Sequence, residues 1–72
     1  MGSVLINRPD EYALFTYSSI TDNKGLMYSL NKNRCYIKFR SGQCSLEYEE
    51  DDLDEEVKES LEKLGYVLTN GN

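Results

Sequence analysis

Residues 35–48 alternate apolar and polar side chains more strictly than any other part of this 72-residue chain, on either side of a Ser41-Gly42 pair. In an extended strand, Cys35, Ile37 and Phe39 share one face, and Tyr36, Lys38 and Arg40 share the other. Beyond Ser41-Gly42 the pattern resumes, with Cys44, Leu46 and Tyr48 inward and Ser45, Glu47 and Glu49 outward. Two period-two runs joined by a glycine-containing dipeptide specify a β-hairpin with a tight turn. The pairing also sets Glu47 near Lys38 or Arg40 across the strands. Such exposed pairs contribute only about 0.2–1 kcal/mol each, but they help to fix register.

The segments before the hairpin also read as strands. Val4-Leu5-Ile6 is a short apolar run suited to an edge strand, broken by Arg8-Pro9-Asp10, because proline fixes φ and lacks a donor. Tyr12–Tyr17 is rich in strand formers. Asp22-Asn23-Lys24-Gly25 is a turn signal. Leu26, Tyr28 and Leu30 alternate on one face, and Asn31–Arg34 is a polar loop.

After the hairpin the period changes to that of a helix, from about Asp52 to Leu64. Leu53, Val57, Leu61 and Leu64 form the apolar stripe. Asp52 is placed as N-cap with Glu55 as its capping-box partner, and acids crowd the first turn, where the helix dipole favours them. Asp54 with Lys58, and Glu59 with Lys63, have the spacing of favourable i,i+4 pairs. Gly65 suits the C-terminal cap, Tyr66-Val67-Leu68 a short further strand, and residues 1–3 and 69–72 are expected to fray. The expected architecture is α+β: one domain over residues 1–72, an antiparallel sheet of three to five strands arranged as hairpins, covered on one face by one C-terminal helix.

Charge is unevenly distributed. Ten of the thirteen acidic residues lie between Glu47 and Glu62, so residues 47–63 carry −8 and the rest +3, for a net −5. A chain this short buries only about 60% of its unfolded surface, which leaves little room for a roofed active-site cleft. There is no histidine, and neither Cys35 nor Cys44 has a neighbouring base to activate it. No phosphate-cradling glycine loop or dinucleotide fingerprint occurs. An enzyme is not expected, nor any cofactor. Two cysteines without histidine do not make a zinc site, and the acidic run has no glycine to turn a calcium loop, so no metal is expected either. The cysteines read as small buried hydrophobes, with pairing left open should their strands be adjacent. No apolar run reaches the roughly 20 residues that span a bilayer, and no signal-peptide core is visible, so cytoplasmic residence is the expectation.

The functional expectation is therefore binding. Part of the acidic run serves the fold: Glu47 and Glu49 balance Lys38 and Arg40, and Asp51 and Asp52 favour the helix start. The remainder, Glu50, Asp54, Glu55, Glu56, Glu59 and Glu62, can present an acidic docking face to a protein with a basic surface. Glu49, Glu50, Asp51, Asp52, Asp54, Glu55 and Glu56 could occlude a basic nucleic-acid-binding groove on the partner, as the small acidic inhibitors carried by phages and other mobile elements do. Tyr36, pointing away from Cys35 and Ile37, is the candidate exposed aromatic anchor. A second expectation is a structural or oligomerising module, dimerising through a free sheet edge at Val4–Ile6 or Tyr12–Tyr17. Direct nucleic-acid binding through Tyr36, Lys38 and Arg40 is disfavoured by the overall negative charge.

The window Asp22–Gln43, reading DNKGLMYSLNKNRCYIKFRSGQ, resembles the first hairpins of a polo box. Gly25-Leu26, Tyr28, Leu30, Ile37 and Phe39 fall where that family tends to carry Gly-Leu, Tyr, Leu, an aliphatic residue and Phe. The resemblance covers less than a third of the chain and implies a non-catalytic protein-interaction module. The chain departs from the family in reaching its helix soon after Tyr48, where a polo box continues with further strands. It also lacks the histidine of phosphopeptide-binding polo boxes, so no phosphopeptide site carries over.

Overall fold

The structure, a computed structural model, describes residues 1–70. Among these, four strands and three helices follow one another in the order β1 (Gly2–Asn7), α1 (Ala13–Thr21), α2 (Lys24–Lys32), β2 (Cys35–Arg40), β3 (Gln43–Tyr48), α3 (Glu55–Lys63) and β4 (Val67–Asn70). The strands form one antiparallel sheet in the spatial order β2-β3-β1-β4. The α+β class and the antiparallel sheet are as expected, but the layer over the sheet consists of three helices, where one was expected.

The β2–β3 hairpin forms in the register that its alternation dictates, with Arg40 opposite Gln43, Phe39 opposite Cys44 and Cys35 opposite Tyr48. Ser41 and Gly42 both have positive φ, at 54° and 75°. That is the type I′ geometry whose twist matches the flanking strands. The expected charge pairing across it is absent. Glu47 lies opposite Tyr36, Lys38 opposite Ser45 and Arg40 opposite Gln43.

Val4-Leu5-Ile6 is a strand, but not an edge. β1 lies inside the sheet, bonded to β3 through Gly2–Leu5 and to β4 through Val4–Asn7. Gly2, Ser3 and Thr69, where fraying was expected, are all in paired strands; the expected fraying of Gly71 and Asn72 lies outside the described residues.

Two expected strands are helices. Tyr12–Tyr17 enters α1, with Thr16 and Ile20 buried and Ala13 and Tyr17 packed beside them. Leu26–Leu30 lies in α2, with Leu26 and Leu30 buried and Tyr28 exposed. Asn23 begins α2 by accepting the Leu26 N–H at 3.0 Å. In both segments a spacing of four satisfies period two and period 3.6 alike, and tertiary packing chose the helix. Nine of the 22 residues of the polo-box-like window are therefore helical.

α3 starts later than expected. Its N-cap is Asp54, whose carboxylate accepts the Glu56 N–H at 2.9 Å, not Asp52. Val57 and Leu61 are buried and Leu53 anchors the approach, but Leu64 is exposed. The ion pair on this helix joins Lys58 to Glu55 at 3.3 Å, in place of the expected Asp54–Lys58 and Glu59–Lys63 pairs. Gly65, at φ 91°, closes the helix as expected. Its N–H donates to the Glu62 carbonyl and that of Tyr66 to the Leu61 carbonyl, the double bond of a Schellman motif. This reversal sends the chain into β4.

The topology explains why every helix is on one side. β1 and β2 are each antiparallel to β3, so the α1–α2 connection joins two parallel strands around β3. β3 and β4 are each antiparallel to β1, so α3 joins two parallel strands around β1. The two crossovers are related by a half-turn about the sheet normal, and the right-handed rule places both on the same face. The core accordingly joins Ile6, Cys35, Cys44 and Leu46 to Ile20, Leu26, Leu30, Leu53, Val57 and Leu61.

Cys35 and Cys44 are buried, free and on the same face. Cys44 opposes Phe39, four residues along β2 from Cys35. At ~3.3 Å per residue that separation is ~13 Å, beyond the ~7 Å limit for a disulfide. Burial raises both thiols, Cys44 to about 11. Between the ordinary value of 9.0 and about 11 the unfolded chain has lost a proton that the native state keeps. Stability from Cys44 is thus complete below pH 9.0 and falls as pH rises towards about 11. Denaturant midpoints should drop across that window, and less so in Cys44→Ala at equal starting stability.

The buried Thr16 hydroxyl has no hydrogen-bond partner among the described residues. Thr16→Val replaces it with a methyl group of similar volume and should raise stability by about 1 kcal/mol, measured by urea unfolding; a loss would mean the hydroxyl is bonded.

Candidate protein-docking surface

The residues expected to form an acidic face do not form one surface with Tyr36. Glu55, Glu59 and Glu62 recur at i, i+4 and i+7 along α3, opposite Val57 and Leu61, so they point away from the sheet. Glu56 flanks this stripe. Asp54 is engaged in the cap and Glu55 in the pair with Lys58, whereas Glu56, Glu59 and Glu62 make no ion pair among the described residues. Glu50 is exposed in the segment between β3 and α3.

Tyr36 lies on the opposite side of the molecule, on the sheet face that no helix covers. It is 44% exposed, and its hydroxyl donates to a Glu49 carboxylate oxygen at 3.2 Å. That hydrogen bond, and then the charge of Glu49, raises the phenol above its ordinary value of 10.0. The row Tyr36, Lys38 and Arg40 does form on β2 as expected, next to Gln43, Ser45 and Glu47 of β3. Glu49 is therefore tied to Tyr36 and does not balance Lys38 or Arg40.

The most anomalous surface is one that sequence reasoning missed. α1, reading ALFTYSSIT, contains no charged residue. Its buried side is Thr16 and Ile20, yet Leu14 and Phe15 on its other sides are 55% and 61% exposed, and Tyr12 at its N-cap is 78% exposed. A helix with apolar side chains on its outer as well as its inner side normally has both sides covered. Here the Tyr12 and Phe15 rings lean on each other, centroids 6.0 Å apart, and Tyr17 leans on the half-exposed Phe39 of β2 at 5.9 Å. By helical position, Leu14 lies between these two pairs. The result is a band of Phe39, Tyr17, Leu14, Phe15 and Tyr12 across one end of the helix layer. The signal was present in the sequence: nine residues without a charge, with Ala13, Thr16, Tyr17 and Ile20 at i, i+3, i+4 and i+7.

The band is held firmly. Before it, Arg8 pairs with Glu11 at 3.4 Å and lies over the Tyr66 ring, 5.5 Å from the centroid. Tyr66 in turn shares a 2.6 Å hydrogen bond with Ser19 of α1. The approach to α1, through Arg8, and its last turn, through Ser19, are thereby both tied to Tyr66, the residue that follows Gly65.

A hollow of about 490 Å³ on the open sheet face is lined by Ser3, Tyr36, Ser45, Glu47 and Glu49, among others. Another of about 420 Å³ lies between the start of β1 and Asp51–Leu53. Both are open to solvent; a third, of about 340 Å³, has Cys44 in its lining together with Ile6 and Ala13. Among the described residues no group of three or more carboxylates or thiols is placed to hold a metal ion, and no helix is long and apolar enough to cross a membrane. Comparison with family models, curated proteins and solved structures finds no match to this chain.

Proposed function

We propose that this protein acts without catalysis, as a small docking module that binds another protein through the apolar band on α1. The observation that carries this reading is the exposure of Tyr12, Leu14 and Phe15 on a helix with no charge. These three side chains leave roughly 400 Å² of mostly apolar surface in water, within the ~300–600 Å² of the largest patch on a typical monomer, which is often functional. Aromatic residues at the centre of such a patch are the usual anchors of contact. A second copy is a poor occupant. Two chains of net charge −5 repel one another. The occupant that fits is a different protein, with an apolar pocket and a basic rim.

The acidic stripe of α3 favours a second reading, in which Glu56, Glu59 and Glu62, free of ion pairs among the described residues, enter a basic groove and occlude it. This is the inhibitor mechanism expected from the charge distribution. It differs from apolar docking in its salt dependence: exposed charge pairs are screened within about 8 Å at physiological ionic strength, and apolar burial is not.

Affinity capture with the wild type, Leu14→Ser/Phe15→Ser and Glu56→Lys/Glu59→Lys/Glu62→Lys should separate the two. Each substituted residue is exposed, so folding stability should change by no more than about 0.5 kcal/mol per site. The α1 variant should lose at least tenfold in affinity for the purified partner, and the wild type should keep most of its affinity in high salt. Undiminished binding by the α1 variant would overturn the reading. Loss confined to the α3 variant, with steep weakening in salt, would establish the acidic mechanism instead.

A further inference from the structure

We infer that the free edge of β2 is a second binding site, which takes an extended acidic peptide segment as a fifth strand. β2 ends the sheet, so one side of its backbone has no partner strand. Arg40 and Gln43 flank a two-residue turn and form a hydrogen-bonded pair, so the N–H and C=O groups of Arg40, Lys38 and Tyr36 point at β3. Those of Ile37 and Phe39, one residue out of phase, point to the empty side. Edge addition of a strand uses such groups for affinity and the alternating side chains for specificity.

The side chains along this edge select the occupant. On the open sheet face it presents Lys38 and Arg40, both exposed and without an ion pair among the described residues. On the other face it presents Ile37, half-buried, and the 39% exposed ring of Phe39. A strand with carboxylates on one side and aliphatic groups on the other meets both; the chain's negative charge is concentrated in residues 47–63, and the remaining residues, β2 among them, carry +3. A second copy of β2 does not. Antiparallel self-pairing must keep faces matched, and centring it on Lys38 sets Lys38 against Lys38, while centring it on Phe39 sets Lys38 against Arg40. Centring it on Ile37 still gathers four cations along one face. Like charges opposite one another destabilise a ladder, so the same lysine that blocks self-association admits an acidic strand.

A fluorescein-labelled peptide of alternating Glu and Val serves as probe, with an alternating Lys and Val peptide as control and Lys38→Glu/Arg40→Glu as the variant. The wild type should bind the acidic peptide and not the basic one. The variant should lose about tenfold for the acidic peptide, as two cross-strand charge pairs imply, and gain the basic one, which shows that it is folded. Amide exchange at Ile37 and Phe39 should slow when the acidic peptide is added. No binding of the acidic peptide would overturn the inference. So would binding that leaves those two amides unprotected, or protection that arises without peptide as protein concentration rises, the mark of a second copy. Phe39 belongs to both surfaces, but Leu14 and Phe15 do not line the edge, so Leu14→Ser/Phe15→Ser should bind the acidic peptide like the wild type, and the two readings fail or succeed separately.

Discussion

The structure depends on β1 being held between two strands that come from elsewhere in the chain. β1 has no sequence-local partner: β3 lies on one side and β4 on the other, and the helices close over the face that results. Ile6 is buried at the centre of this arrangement, with Leu46 of β3 in the same cluster. If β1 were removed, the hairpin would keep its turn but lose the strand that joins it to β4. The two crossovers each wrap around one strand of the β3–β1 pair, so that pair also decides where α1, α2 and α3 can go.

The segments that sequence reading resolved were those where one physical period excluded the other. Cys35–Tyr48 has strict alternation and a turn dipeptide that tolerates positive φ, and its register followed. Val57 and Leu61, with acids before them and Gly65 after, read as a helix with its cap. The Tyr12–Tyr17 and Leu26–Leu30 segments were illegible because residues four apart lie on one face in either structure, and because Tyr, Phe and Thr favour strands locally. What decided them was distant: Ile20 and Leu30 are buried by the sheet, which no local window contains. The interior position of β1 was hidden for the same reason, since a run as short as Val4-Leu5-Ile6 does not say how many neighbours it has.

The candidate site was legible in part. Exposure of the α3 acids and of Tyr36 followed from their positions, but their separation onto opposite sides of the molecule required the topology. The apolar band depended on recognising α1 as a helix. Read as a strand, YALFTY has an inward and an outward face; wound into a helix, the same letters leave Leu14 and Phe15 facing water. Charge and apolar surface are thus segregated: the acids occupy α3 and the segment before it, the cations of β2 the open sheet face, and the uncharged band the end of the helix layer. The band and the β2 edge share Phe39, whereas the α3 acids lie apart from both.

The interior position of β1 also bears on how the molecule is made. Asn7 pairs with Val67 and Val4 with Asn70, contacts that span 60 to 66 residues. Chains dominated by such distant pairings fold slowly, because loop closure must come before the contacts that reward it. On the ribosome, β1 emerges early and then waits for β4 with one edge bare. During synthesis that edge is an unpaired template of backbone donors and acceptors, and it becomes the protected centre of the sheet only when the segment after α3 arrives.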